Sequence, residues 1–209
     1  MKQKQIEILA AIFRAVCFLT IVLFARLYRR IVTMKIKAES GWNLNMNTRK
    51  LTMTAMLAAC ALVVFILEAQ LPPIVPIPGI KPGLANVMTL IALAVLGKRE
   101  ALGVLLTRIV LGSIFTGNLM SMAFSVIGGV FAYGGMLLIM RIIENPVAVS
   151  IVGAIAHNIG QIFTAMLFTK TPQLLYYCPL LMMSAILTGL FTGVIAAGVI
   201  RIVRKHMHQ

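Results

Sequence analysis

Beyond residue 46 the chain reads as a series of long apolar runs separated by short interruptions, and most of its remaining charges fall in the interruptions. A bilayer's hydrocarbon core is roughly 30 Å thick and takes about 20 apolar helical residues to cross. Six runs stand out at or near that length: 51–71, 84–96, 101–117, 119–140, 147–168 and 180–200. The pattern predicts an all-α fold, a polytopic membrane helix bundle of six transmembrane helices. The second run is short, so the loop before it is expected to supply its first turn.

Composition points the same way, with 60% of the 209 residues apolar and 11% charged. No water-soluble domain of this length has that balance. Charge adds orientation, because cytoplasmic loops retain Lys and Arg. Placing residue 50 inside puts Arg49, Lys50, Lys98, Arg99, Arg141, Arg201, Arg204 and Lys205 in the cytoplasm, against Lys81 and Lys170 outside. Both ends of the six-span unit then face the cytoplasm. The net charge of +14 becomes a topology signal, with acidic lipid headgroups as the expected membrane partner and no role for nucleic acid.

Residues 1–45 form a separate segment. The stretch 6–27 is apolar enough to insert but carries Arg14, and Arg26, Arg29, Arg30, Lys35 and Lys37 follow it. A spanning version would be a seventh, N-terminal helix with its start outside. The alternatives are a signal-like leader, without a clean small-residue cleavage site, and a misassigned start. For the last, Gly41, Trp42 and Asn43 require a G-rich codon run (GGN TGG AAY) just before Met46. A bacterial ribosome-binding site would lie there.

Candidate chemistry is sparse. Cys17, Cys60 and Cys178 are too scattered for a disulfide framework or a metal site, and they and the 14 Met residues read as packing groups. The chain has five Glu, at 7, 39, 68, 100 and 144, and no Asp. Paired-carboxylate mechanisms are poorly supplied. Glu100 and Glu144 sit beside basic residues at helix ends, as solvated charges do, which leaves Glu68 inside a span.

At about 1.5 Å per residue, Glu68 lies roughly 26 Å along its span, near the outer surface. There it meets LPPIVPIPGIKPG, in which Pro72, Pro73, Pro76, Pro78 and Pro82 exclude helix and Gly79 and Gly83 permit tight turns. One reading is a rigid connector at the interface. The other is a lid over an outward-facing pocket, with Lys81 and Asn86 as polar contacts and Glu68 as an ion-pair partner of Lys81. Deeper in the bundle, Arg108 lies roughly 10 Å into the third span and His157 roughly 15 Å into the fifth. Ionisable groups at such depth are costly and are functional candidates. His157 shares a helix face with Gly153 and Gln161, and Asn158 is beside it, in GAIAHNIGQ. These groups serve either ligand binding or a buried hydrogen-bond network.

Small residues mark where helices touch in lipid. Gly189, Gly193 and Ala197 form a stripe in the sixth span, and Gly128, Gly129, Gly134 and Gly135 are expected to loosen the fourth. Ala55 and Ala59 make an AxxxA pair that packs inside the bundle or, if it faces outward, docks another membrane subunit.

Residues 46–204, through PGIKPGLANVMTLIAL, GKREALGVLLTRIVLGS and VSIVGAIAHNIGQ, resemble the bacterial family called heptaprenyl diphosphate synthase component I, or Gx transporters. That family is similar in turn to the S components of energy-coupling factor transporters, six-span proteins that bind small molecules for uptake. The resemblance implies that 46–209 is an S-component-like domain of the bacterial cytoplasmic membrane with its C-terminus inside. It implies a lid at Pro72 to Gly83 and docking of a coupling subunit at Ala55 and Ala59. The substrate is then a small molecule contacted by Glu68, Lys81, Asn86, Arg108, His157, Asn158 and Gln161. Any ATP-driven cycle requires separate energy-coupling membrane and ATPase subunits, since the chain has no P-loop.

The enzyme name meets a physical obstacle. Prenyl diphosphate synthases hold Mg²⁺ and diphosphate with aspartate-rich motifs, and this chain has no Asp. The expectation is a non-enzyme with no catalytic residue, metal or cofactor. The alternative is a non-catalytic accessory subunit in heptaprenyl diphosphate and menaquinone metabolism or in flavin-based extracellular electron transfer.

Overall fold

A computed structural model of the chain describes residues 46–70, 81–117 and 119–207. The N-terminal segment 1–45 and the proline-rich stretch 71–80 lie outside the described residues. Two compact units make up the chain, Met1–Met53 and Thr54–Gln209, and the bundle analysed below is the second. Among the described residues there are six α-helices and no strand: α1 (Met46–Ala69), α2 (Asn86–Val95), α3 (Lys98–Thr116), α4 (Leu119–Ile139), α5 (Pro146–Thr169) and α6 (Cys178–Met207). A short 3₁₀ turn, Pro172–Tyr177, leads into α6.

The helix ends follow from local sequence. Asn145 caps α5, its side chain accepting the Val147 N–H at 2.9 Å, and Pro146 occupies the first helical position, where its missing N–H has no cost. Gly117 ends α3 in the left-handed conformation at φ 62°. Gly97, at φ 115°, separates α2 from α3. Arg204 of α6 reaches back to donate to the Ala94 carbonyl near the C-terminus of α2, at 3.2 Å.

Ten residues of α2 span only about 15 Å, half a bilayer core. It is the innermost element, buried from Asn86 to Leu93 and packed against α3, α4, α5 and α6. Apolar on all sides, it has no face suited to water. The turn before it is built from Asn86 N–H to Gly83 carbonyl and Val87 N–H to Leu84 carbonyl bonds, at 3.0 and 3.1 Å.

Four segments among the described residues are long and apolar enough to cross a membrane: Lys50–Ala69, Leu119–Ile139, Pro146–Thr169 and Pro172–Lys205. The count expected from the sequence was six. The difference has two physical sources: α2 is too short, and α3, 19 residues long, carries Lys98, Arg99, Glu100 and Arg108. The exterior is rich in exposed Leu, Ile, Val and Phe, including Leu106, Val110, Ile114 and Phe115 along α3, while the interior holds polar groups. That inversion, with the four long apolar helices, identifies a membrane-embedded protein.

The four glycines of α4 do not interrupt it. The helix runs unbroken, and Gly128 sits so close to Gly160 of α5 that a Cβ on Gly160 would lie 2.9 Å from the Gly128 Cα. Across the α5/α6 seam, a Cβ on Gly189 would meet the Ile151 Cα at 2.7 Å and one on Gly193 the Val147 Cα at 2.8 Å. The Ser150 and Thr192 hydroxyls share a hydrogen bond at 2.9 Å in the same seam.

Replacing Gly193 by Leu is therefore expected to destabilise the bundle by about 1–3 kcal/mol through overpacking. Gly198, one turn further on, has nothing within 4 Å of an added Cβ, so Gly198→Leu serves as the control. Denaturation of both variants in detergent checks the pair, and equal effects would contradict the seam.

Candidate functional site

The polar interior is organised by Glu68 at the end of α1. Ala85 precedes α2 and has no side chain able to cap it, so the first N–H groups of that helix need an acceptor from elsewhere. Glu68 supplies it: Oε1 accepts from the Gly83 and Leu84 N–H groups, the latter at 3.0 Å, and Oε2 accepts from the Ala85 N–H at 3.4 Å. A buried carboxylate thus meets the positive end of a helix. Gly83 takes φ 79°, and a Cβ there would lie 2.8 Å from His157 Cδ2, so both backbone angle and space favour glycine.

Asn86, in the first turn of α2, accepts a hydrogen bond from Arg108 Nη2 of α3 at 3.1 Å. Arg108 is also within electrostatic reach of Glu68. From the loop, the Lys81 backbone N–H donates to Gln161 Oε1 of α5 at 3.3 Å, and Gln161 Nε2 lies 3.0 Å from His157 Nε2. With Gln161 Oε1 serving as acceptor, its Nε2 donates, His157 Nε2 accepts, and the imidazole proton sits on Nδ1. That Nδ1 edge lies against the Gly128 backbone, without a hydrogen bond of good geometry. The ring is therefore slotted between two glycines, Gly83 and Gly128.

Phe65, one turn before Glu68, underlies both cations. Lys81 Nζ stands 3.9 Å from the centre of its ring and Arg108 Cζ 6.0 Å. The ring rests on Gly112 of α3, where a Cβ would come within 2.5 Å of it.

The structure thus brings Glu68, Lys81, Asn86, Arg108, His157 and Gln161 into one connected cluster. The cluster joins residues expected near the outer surface to residues expected deeper in the bundle. Two expected arrangements are not formed. Glu68 does not hydrogen-bond to Lys81: its carboxylate is occupied by amides, and Lys81 Nζ is buried with no hydrogen-bond partner among the described residues. Asn158 does not join His157 and Gln161. It turns to α6, donating from Nδ2 to the Leu181 carbonyl at 2.7 Å, because adjacent residues on a helix point about 100° apart.

Of the expected lid, Pro82 and Gly83 are described and half-buried, whereas Pro72, Pro73, Pro76, Pro78 and Gly79 lie outside the described residues. Ala55 and Ala59 lie on an exposed face of α1 that continues to Val63. Phe65 and Gly112 were not singled out from sequence, and Gly128 was named there only as a residue loosening its helix. Phe65 and Gly112 stand three and four residues from Glu68 and Arg108, the helical spacing that could have found them. Among the described residues no group of three or more His, Cys, Asp or Glu side chains is placed to hold a metal ion, and Cys60 and Cys178 are free thiols.

These features define a helical membrane protein with a lipid-compatible exterior and a hydrogen-bonded polar cluster at its centre. A family model described as heptaprenyl diphosphate synthase component I matches residues 57–199, most of the chain and every member of the cluster. The chain belongs to that family. No curated protein and no solved structure matches it.

Glu68→Gln tests the cap. The amide keeps an acceptor oxygen for Gly83 and Leu84 but turns an N–H₂ toward the Ala85 N–H in place of Oε2, and a hydrogen bond to a charged group is worth about 1.5–3 kcal/mol. Exchange of the Ala85 amide hydrogen is expected to accelerate tenfold or more, and that of Leu84 less. Unchanged protection at Ala85 would contradict this role for Glu68.

Proposed function

We propose that this protein binds a small molecule within the cluster and delivers it across the membrane as the substrate-binding component of an uptake system, in the manner of S components. One observation carries the reading: five elements converge polar side chains or backbone groups on a common interior centred on Asn86 and Arg108. Such a concentration is costly in an apolar bundle, and loop residues Lys81–Ala85 fold directly over it. In this proposal all six helices cross or enter the bacterial cytoplasmic membrane, the C-terminus is cytoplasmic, and the stretch from Pro72 to Gly83 is the lid. The exposed Ala55/Ala59 face receives an energy-coupling membrane subunit that works with ATPase subunits.

A second reading rests on the family's name, which describes one component of a synthase. In it the chain is a non-catalytic accessory in prenyl diphosphate and quinone metabolism, presenting a bound compound to a separate catalytic subunit. Flavin-based extracellular electron transfer is a related setting for such an accessory.

Uptake separates the two. Cells expressing the protein with energy-coupling subunits are expected to accumulate one labelled compound from a panel of vitamins and quinone precursors. Arg108→Gln should lower that accumulation at least tenfold with the protein still in the membrane. No substrate-dependent accumulation across the panel would contradict transport. A gain in prenyl transfer by a co-purifying subunit would favour the accessory role.

A further inference from the structure

Among the described residues, charge in the cluster does not balance. Arg108 and Lys81 contribute two cations, and Glu68 contributes one carboxylate, already engaged by three amides. The chain has no Asp to add. Glu100 lies in the first turn of α3, two turns from Arg108, and Glu144 is exposed ahead of α5. An excess positive charge held inside a membrane bundle is costly without a counter-charge.

Hydrogen bonding is unbalanced in the same sense. Lys81 Nζ, Asn86 Nδ2 and Arg108 Nε are all buried atoms without partners among the described residues. Asn86 and Arg108 are 5% and 3% exposed. All three atoms are donors, since Asn86 has already committed its carbonyl oxygen to Arg108. Arg and Lys carry no acceptor, so nothing in this group can satisfy another member. Water could accept from these donors but would leave the charge uncompensated. A neutral ligand would do the same, and a cation would add to the excess. An oxyanion supplies several lone pairs and the missing negative charge together.

We propose that Lys81, Asn86 and Arg108 hold an anionic oxygen group, a carboxylate or phosphate, of the small molecule this protein binds. The inference rests on the small-molecule-binding reading above and adds the ligand's charge class. Glu68 has a different role: it holds the amides of Gly83, Leu84 and Ala85, and with them the start of α2, where Asn86 meets Arg108. Both cations also stand within cation–π distance of the Phe65 ring.

The test uses the full chain in nanodiscs of zwitterionic phosphatidylcholine. Inorganic phosphate, pyrophosphate and succinate are titrated at constant ionic strength, with choline and a neutral sugar as comparison compounds. Saturable thermal stabilisation by at least one oxyanion, and none by choline or sugar, is the expected result. Lys81→Gln and Arg108→Gln should each weaken the effective oxyanion roughly 10- to 100-fold, the loss expected for one charge-assisted hydrogen bond. Lys81→Gln keeps the backbone bond to Gln161, so it remains informative even if Arg108→Gln fails to fold. In nanodiscs containing phosphatidylglycerol, an Arg108-dependent stabilisation that blocks the added anions would identify a lipid headgroup as the source of the same chemistry.

Absence of saturable binding by any oxyanion in either membrane would overturn the proposal, as would binding undiminished in Lys81→Gln and in folded Arg108→Gln. Native mass spectrometry of the same samples separates the two levels of failure. A retained neutral or cationic compound would refute the anion site and leave small-molecule binding standing. With neither a retained nor an added ligand, both fall.

Discussion

A carboxylate inside an apolar bundle must find donors, and Glu68 finds them in the amides of Gly83, Leu84 and Ala85. The arrangement satisfies two needs together, because α2 begins at Ala85 and Asn86 without a capping side chain of its own. Joining the end of α1 to the start of α2 lets the second helix begin within the bundle. Its ten residues then contact α3, α4, α5 and α6. The position of Asn86, and through it that of Arg108, depends on this cap.

Around that centre the helices meet by close approach of small residues. Gly128 with Gly160, and Gly189 and Gly193 with the α5 backbone, bring α4, α5 and α6 together. Lipid tails are as apolar as leucine, so such contacts and interior hydrogen bonds must supply the cohesion that water provides elsewhere. Glycines shape the cluster as well: Gly83 and Gly128 make the slot for His157, and Gly112 makes room for the Phe65 ring. Gly128 thus belongs both to the helix seam and to the cluster, and a tightly packed scaffold holds the cluster in register.

Much of this was legible in the sequence. Apolar runs bounded by charges marked all six helices, and the ionisable residues within them marked the cluster, because few forces other than function or structural need place Arg108 and His157 in a membrane interior. Three points were not legible. Glu68 and Lys81 looked like an ion pair because side-chain charge is visible in a sequence and competition from backbone amides is not. Asn158 looked like a neighbour of His157, although its helical direction carries it to Leu181 of α6. The glycines of α4 suggested looseness, since a sequence does not show which glycines have another backbone against them. Crossing number also depends on more than hydropathy: α2 is apolar but ten residues long, and α3 is long enough but carries several charges.

Glu68 and Arg108 interact electrostatically within the cluster. A double-mutant cycle on unfolding in detergent, with Glu68→Gln, Arg108→Gln and the double variant, measures that interaction directly. Each single change removes the attraction between the two charges, a loss the double variant suffers only once, so the double variant should be more stable than the summed losses imply, with a coupling of about 1 kcal/mol or more. Losses that add to within about 0.3–0.5 kcal/mol would contradict it.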